Sequence, residues 1–222
     1  MTRNELAKTI DHTILKAEAT RAQVEETILY ARGQGTASVC LNPCWVPLAA
    51  DLLAGSGVAV CTVIGFPLGA TTSYAKAKET EAAREQGAAE MDMVLNIGAL
   101  KSGMEDYVLA DIKAVVHASD ALVKVILETC YLTDAEIAAA CRLAAEAGAT
   151  FVKTSTGFGP QGATAENVRL MRQSIPLEMQ VKAAGGIGTL QDALAMLDAG
   201  ASRIGASRTA AILDALDAQN AR

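Results

Sequence analysis

Eight short runs rich in β-branched residues alternate with eight Ala-rich amphipathic segments along almost the whole sequence. The strand-like runs fall at 10–15, 36–41, 58–64, 90–96, 121–127, 150–154, 178–183 and 202–205. Helical patterns occupy 20–34, 44–54, 74–86, 105–118, 133–147, 164–174, 189–198 and 207–217. Thr133-Asp134-Ala135-Glu136 reads as a capping box, and Gly87 and Gly148 stand where helices should stop. Strand–helix repetition with connections this long requires right-handed crossovers between parallel strands. The unit recurs about every 30 residues, the usual size of a βαβ element. An eightfold closure at this length predicts an α/β fold, a (β/α)8 TIM barrel with a short N-terminal helix before its first strand. An open doubly wound sheet is the competing arrangement, but the Gly-x-Gly-x-x-Gly turn it usually carries after an early strand is missing. No Pro/Ser-rich linker or charge block interrupts the 222 residues, so residues 1–222 are expected to form one domain.

Composition supplies the material for such a core. Half of the chain is hydrophobic (51%) but only 4% is aromatic, so Ala, Val, Ile and Leu must fill the interior. With 19 Lys and Arg against 25 Asp and Glu, the net charge of −6 disfavours a nucleic-acid partner. No charge falls between Asp51 and Lys76, yet Gly55, Gly57, Gly65, Pro67 and Gly69 punctuate that stretch, which excludes a membrane span there. The first residues carry neither an apolar run nor a small-residue cleavage site, so a cytoplasmic protein is expected. Five scattered cysteines fit reduced thiols better than a disulfide framework. Cys40 and Cys44 do not form a Cys-x-x-Cys pair, and His12 and His117 are the only histidines, so no metal site is expected.

The strands of a barrel are buried on both faces and should read as nearly continuous apolar runs. Four of them do not, and their polar residues keep one parity. Glu90, Asp92, Val94 and Asn96 share a face opposite Met91, Met93 and Leu95. Lys124 and Glu128 lie with Leu122 and Ile126, opposite Val123, Val125 and Leu127. Lys153 and Ser155 oppose Val152, and Lys182 opposes Met179, Val181 and Ala183. The apolar parity must pack beneath the helices, so the charged parity points into the barrel. Asp92, Lys124, Lys153 and Lys182 therefore meet inside, with Glu90 and Glu128 deeper or nearer the rim.

Such a cluster could be a structural ion-pair network, although buried ion pairs seldom add net stability. It could instead serve chemistry. A lysine is nucleophilic only as the neutral amine, and a neighbouring ammonium together with a dry pocket favours that form. Lys153 and Lys182, on consecutive strands with one inward parity, suit this: an amine attacks a carbonyl and forms a Schiff base. The turns Gly185-Gly186-Ile187-Gly188-Thr189 and Gly205-Ala206-Ser207-Arg208 run from strands into helix N-termini, and Ser155-Thr156-Gly157 ends the Lys153 strand. Bare glycine amides and helix N-termini bind anions, so these adjacent turns point to a phosphorylated substrate.

Phe151-Val152-Lys153-Thr154-Ser155-Thr156-Gly157-Phe158 resembles the Schiff-base strand of deoxyribose-phosphate aldolases. Further motifs agree in family order: Ile10 to Lys16, Gly65-Phe66-Pro67-Leu68-Gly69, Glu90 to Asn96, Lys124 to Thr129, Val181 to Gly186 and Gly205-Ala206-Ser207. The resemblance implies a class I aldolase of deoxyribonucleoside catabolism on a (β/α)8 barrel. It implies reversible cleavage of 2-deoxy-D-ribose 5-phosphate to D-glyceraldehyde 3-phosphate and acetaldehyde, with no metal or organic cofactor. By motif position Lys153 is the Schiff-base lysine, Lys182 the lysine that perturbs it, and Asp92 the acid/base group working through a water. Lys124 holds Asp92 in the network. Thr13 and Thr156 match positions near the sugar hydroxyls, while Gly157, Gly185, Gly186, Gly205 and Ser207 match phosphate loops. A homodimer or homotetramer is the implied assembly.

Two positions depart from some relatives. Phe158 replaces a lysine, removing one cationic contact to phosphate, and the last tyrosine is Tyr131 rather than a terminal one. His12 and His117 match no catalytic position and are expected to be structural or surface residues. Two other readings share these features: a different Schiff-base sugar-phosphate aldolase or transaldolase, and a non-catalytic sugar-phosphate-binding barrel.

Overall fold

The structure, a computed structural model, describes residues 1–221. Eight parallel strands close in sequence order: β1 (Ile10–Ile14), β2 (Ser38–Leu41), β3 (Ala59–Ile64), β4 (Glu90–Val94), β5 (Leu122–Ile126), β6 (Phe151–Lys153), β7 (Gln180–Ala184) and β8 (Arg203–Ala206). The closing pair β1–β8 places Asp11 beside Gly205. Closure satisfies every strand edge, so no edge is left to template pairing. The expected N-terminal helix is α1 (Arg3–Ala7), started by a Thr2–Glu5 capping box and tied by Arg3 to Asp214 (3.0 Å) and Asp217 (2.5 Å) near the chain's end.

Helices α2 (Arg21–Gln34), α3 (Val46–Leu53), α4 (Ser73–Glu85), α6 (Glu105–Ser119), α7 (Asp134–Glu146), α8 (Ala165–Gln173), α9 (Leu190–Asp198) and α10 (Thr209–Asn220) follow the eight strands in turn. The Thr133–Glu136 capping box does start α7. Strand residues of the outward parity, such as Val39, Met91, Val125, Val152, Val181 and Ile204, are buried against helix residues such as Ile28, Ile112 and Ile212. Each such side chain removed from water contributes about 1.5–3 kcal/mol, which is why a chain poor in aromatics still closes a barrel.

Three local expectations change. An extra helix, α5 (Ile97–Lys101), follows β4, because the Asn96 side chain accepts the Ala99 N–H (3.0 Å) and caps it. Asn96 therefore caps a helix instead of facing the interior. Glu128 likewise leaves the strand: it turns left-handed (φ 55°, ψ 63°) after β5, and its carboxylate swings to the next loop. Trp45 ends a 3-10 turn (Pro43–Trp45), so the helix expected from residue 44 begins only at Val46. Among the described residues no helix is long and apolar enough to cross a membrane.

One buried ion pair outside the barrel braces the β3–α4 connection. Lys76 donates to Val94 O (2.9 Å) and to Asp111 Oδ2 (2.5 Å), both lysine and aspartate being fully buried. Its stem fills the space a side chain at Gly65 would need, the nearest approach being 2.8 Å. Glu79 then accepts the Gly65 N–H at 2.7 Å and anchors the turn at the top of β3.

Candidate active site

Parallel register carries the inward parity across the sheet. Asp92 pairs with Lys124, Lys153 pairs with Lys182, and Lys182 pairs with Arg203. Their side chains converge in the interior. Asp92 Oδ2 accepts from Lys153 Nζ (2.8 Å) and Lys182 Nζ (2.7 Å), while Oδ1 accepts from Lys124 Nζ (2.9 Å). Lys124 also donates to Glu90 Oε2 at 2.6 Å. Beneath them Arg203 stands over the Phe151 ring, 5.5 Å from its centre, and closes the floor.

Burial by itself would neutralise these groups; the neighbours reverse its effect. Burial pushes the Asp92 carboxyl up, but Lys124, Lys153 and Lys182 together hold it well below the usual carboxylate range. Burial would strip Lys182 of its proton, yet Asp11 and Asp92 hold its pKa above the ordinary lysine value. Lys124 is raised in the same way, chiefly by Asp92 against its own desolvation. The interior thus presents an ionised carboxylate between Lys124 and Lys182, two lysines that retain their protons.

Asp11 was not singled out in the sequence, although it shares the parity of Thr13. It is fully buried, with Oδ1 accepting from Arg203 (2.6 Å) and Oδ2 lying 2.5 Å from Lys182 Nζ. The second contact is off a hydrogen-bond axis, since Asp11 Oδ2 accepts no aligned bond, and it is best described as an ion pair. Arg203 and the thiols of Cys40 and Cys61 also lie inside. Cys61 Sγ is 3.3 Å from Asp92 Oδ1, and Cys40, Cys61 and Asp92 bring three potential metal-ligating atoms within 4.8 Å. Three lysine side chains already occupy that carboxylate, and a dication would have to displace them, so the donor set fits lysine partners better than a metal.

A cavity of about 800 Å³ opens above this network at the C-terminal ends of the strands. Thr13, Lys153, Thr156, Gly157, Gly185, Gly186, Gly205 and Ser207 all line it, whereas Asp92, Lys124 and Lys182 lie beneath its floor. Of the interior cluster, Lys153 is thus the lysine that faces the cavity. The amides of Gly157, Gly185, Gly186 and Ser207 donate to no acceptor among the described residues. Gly186 adopts φ +78°, and a side chain there would meet nothing within 4 Å, so its bare face borders open space. Gly205 has a different reason to be glycine: an added Cβ would come within 2.9 Å of Ala184 Cβ and 3.3 Å of Lys182 Cε.

The helix N-termini contribute unequally to this rim. At α9 the Asp192 carboxylate accepts from Gly188 N (3.2 Å) and Thr189 N (2.9 Å), so that terminus is capped by its own side chain. At α10 the residue before the helix, Arg208, makes no side-chain cap. The Gly185–Gly186 turn and the start of α10 therefore hold the free donors. Thr156 is committed differently from expectation: its hydroxyl donates to Glu128 and accepts from Phe158 N (3.0 Å), and its own N–H reaches Glu128 Oε1 at 3.2 Å. Phe158 meets Phe66 edge to face, ring centres 5.2 Å apart, on the same rim.

The histidines behave as packing residues. His12 is buried against Tyr30, lies 2.8 Å from Thr209 Oγ1 through Nδ1 and has its pKa lowered by desolvation, whereas exposed His117 bonds Lys113 O (2.7 Å).

Residues 6–214 match the model of the DeoC/LacD family aldolases. A deoxyribose-phosphate aldolase of Streptococcus gordonii is 59% identical over 209 residues, covering 94% of this chain and 95% of the relative. One from a Geobacillus species is 55% identical over 213 residues, covering 95% and 96%. Among solved structures, the tetrameric deoxyribose phosphate aldolase of Aeropyrum pernix superposes with a TM-score of 0.91 at 32% identity, over 98% of this chain and 93% of that one. The match runs from α1 into α10 and takes in every strand that contributes to the lysine cluster, and on that ground the chain belongs to the DeoC/LacD family of aldolases.

Proposed function

We propose that the protein reversibly cleaves 2-deoxy-D-ribose 5-phosphate to D-glyceraldehyde 3-phosphate and acetaldehyde, as the names of its relatives suggest. The observation that carries this reading is one carboxylate shared by two lysines, directly below a cavity rimmed with free glycine amides. Lys153 attacks the aldehyde carbon of the open-chain sugar as the neutral amine, and loss of water gives the Schiff base. Removal of the C3 hydroxyl proton then breaks the C2–C3 bond, releasing glyceraldehyde 3-phosphate and leaving an enamine on Lys153. The enamine takes a proton on carbon, and hydrolysis frees acetaldehyde and the amine.

Asp92, ionised and hydrogen-bonded to both lysines, is placed to relay these protons through a water, with Lys124 fixing its other oxygen. The amides of Gly157, Gly185, Gly186 and Ser207 receive the phosphate, helped by the open start of α10, with Gly205 lining the same cavity. Thr13 and Thr156 lie where the sugar hydroxyls would run. We place this activity in the cytoplasm, in a homodimer or homotetramer. Incubation with acetaldehyde and borohydride, followed by mass spectrometry, tests the chemistry: a two-carbon adduct on Lys153 is expected, and an unmodified chain would favour a binding protein. Cleavage of deoxyribose 5-phosphate but not ribose 5-phosphate tests the substrate; the reverse preference would indicate another sugar-phosphate aldolase.

A further inference from the structure

Within the ion-paired cluster basic groups outnumber carboxylates, the buried Glu128 carboxylate lying outside it on Thr156. In their usual ionised forms Lys124, Lys153, Lys182 and Arg203 oppose Asp11, Glu90 and Asp92, four positive charges against three negative. A closed, dry interior favours balance, which the loss of one proton restores. Arg203 cannot supply it, because a guanidinium does not deprotonate in proteins. Lys124 has Glu90 and Asp92 at hydrogen-bond distance and Asp11 at 3.8 Å. Lys182 has two carboxylates in contact, Asp11 at 2.5 Å and Asp92 at 2.7 Å. Among the described residues Lys153 has Asp92 alone, at 2.8 Å. The thiols of Cys40 and Cys61, the other titratable groups on the inward face of β2 and β3, lie beside Asp92, with Cys61 Sγ 3.4 Å from Lys124 Nζ, and bring no charge as thiols.

We infer that Asp11 is a positioning residue that decides which of two neighbouring lysines is the nucleophile, by pinning the proton on Lys182 and leaving Lys153 as the amine. This rests on the Schiff-base reading above and deepens it: Asp92 is shared equally by the two lysines and cannot tell them apart, whereas Asp11 touches only one. Arg203, held at 2.6 Å by the other Asp11 oxygen, orients the carboxylate for this. Lys182 is also close enough to the cavity for the choice to matter, since Gly205 lines the cavity and a Cβ there would lie 3.3 Å from Lys182 Cε.

The test is the site of covalent trapping. Wild-type protein treated with acetaldehyde and borohydride should carry its adduct on Lys153 and none on Lys182. Asp11→Asn, which keeps shape but removes the charge, should raise the Lys182 share by about tenfold or more, the effect of one unit of pKa. Lys153→Leu alone should trap nothing, while Asp11→Asn with Lys153→Leu should regain an adduct, now on Lys182. An Asp11→Asn protein that traps only on Lys153 with an unchanged pH profile overturns the inference. Should either variant fail to fold, pulse labelling of the wild type with formaldehyde and borohydride across a pH series decides it: Lys153 must label at lower pH than Lys182, and equal labelling overturns the assignment. A wild type that traps acetaldehyde on neither lysine would instead defeat the Schiff-base reading itself.

Discussion

Lys153 and Lys182 donate to the same oxygen of Asp92, at 2.8 and 2.7 Å, from adjacent strands in direct register. Two basic groups held by one acceptor cannot both be strongly attracted without repelling each other, and the pair behaves as a unit. Only one of them lines the cavity. Geometry therefore separates a lysine at the cavity above from an enclosed lysine below, with the carboxylate between them.

Lys153→Leu keeps bulk at the cavity floor while removing the amine. Borohydride trapping should disappear and turnover should fall by several orders of magnitude, with far-UV circular dichroism unchanged. An adduct that survives on Lys182 in this variant, with Asp11 intact, would reverse the roles assigned to the two lysines.

Lys182→Leu removes one positive charge and leaves three basic groups facing three carboxylates, so balance no longer requires an amine at Lys153. The acidic limb of the pH–rate profile should move to higher pH, because more alkaline conditions are then needed to generate the nucleophile. The measurement is kcat/KM for deoxyribose 5-phosphate across pH. A profile that stays in place at normal turnover would remove Lys182 from this role.

The same groups set the acid stability. Asp11 and Asp92 have carboxyls held below their unfolded values despite burial, by their lysine and arginine neighbours. The stability they contribute is fully present above the unfolded value of about 3.9 and is lost as pH falls through the lower folded values. Lys124 and Lys182 are raised, so their contribution is complete below about pH 10.4 and is lost only as the solution becomes more alkaline than that. Urea midpoints should therefore vary little on their account between about pH 5 and 9 and drop steeply below about pH 4. Asp11→Asn should show a shallower acid drop than the wild type, and identical acid slopes would show that Asp11 is not ionised in the folded protein.

Much of this arrangement was legible in the sequence because strand parity is a strict period of two: once the outward residues are fixed as Val, Met and Leu, Asp92, Lys124, Lys153 and Lys182 can only face inward. What parity could not supply is reach. Asp11 and Arg203 sit on β1 and β8, which meet only on barrel closure, so nothing along the chain announced that Asp11 would oppose Lys182. Glu128 and Asn96 obeyed the period on paper but lie beyond the last ladder residue, where backbone turns and caps take over. The α9 terminus is a similar case: Asp192, one turn inside the helix, occupies the amides that the glycine pattern suggested were free.

Gly186→Val should obstruct the anion cradle. The position has φ +78°, strained for any β-branched side chain, and its missing Cβ faces open space at the cavity rim. The Michaelis constant for deoxyribose 5-phosphate should rise by about tenfold or more, the loss of one or two charge-assisted hydrogen bonds of roughly 1.5–3 kcal/mol each. Unphosphorylated deoxyribose should be hardly affected. Equal losses on both substrates would place the phosphate elsewhere.

The sharpest consequence concerns Asp92, because a Schiff base alone does not complete the reaction. Carbon–carbon cleavage needs a base for the sugar hydroxyl, and the enamine left behind needs an acid. Asp92 remains ionised among three lysines, so it accepts a proton only transiently and returns it readily. Its Oδ2 touches both Lys153, on which the proposed enamine forms, and Lys182 beneath it, while its Oδ1 is fixed by Lys124 and cannot rotate away. Asp92→Asn preserves size but replaces one acceptor with a donor that faces ammonium groups, so it loses both the base and the clamp on the lysines. General acid–base groups contribute about 10²–10⁴-fold, and turnover should fall on that scale. The exchange of acetaldehyde methyl protons with deuterated water isolates the enamine step, because it requires neither phosphate nor carbon–carbon cleavage. That exchange should stop in Asp92→Asn even where some borohydride adduct still forms on Lys153. Exchange at the wild-type rate would mean that another group protonates the enamine, and Asp92 would then act only by holding the lysines in place.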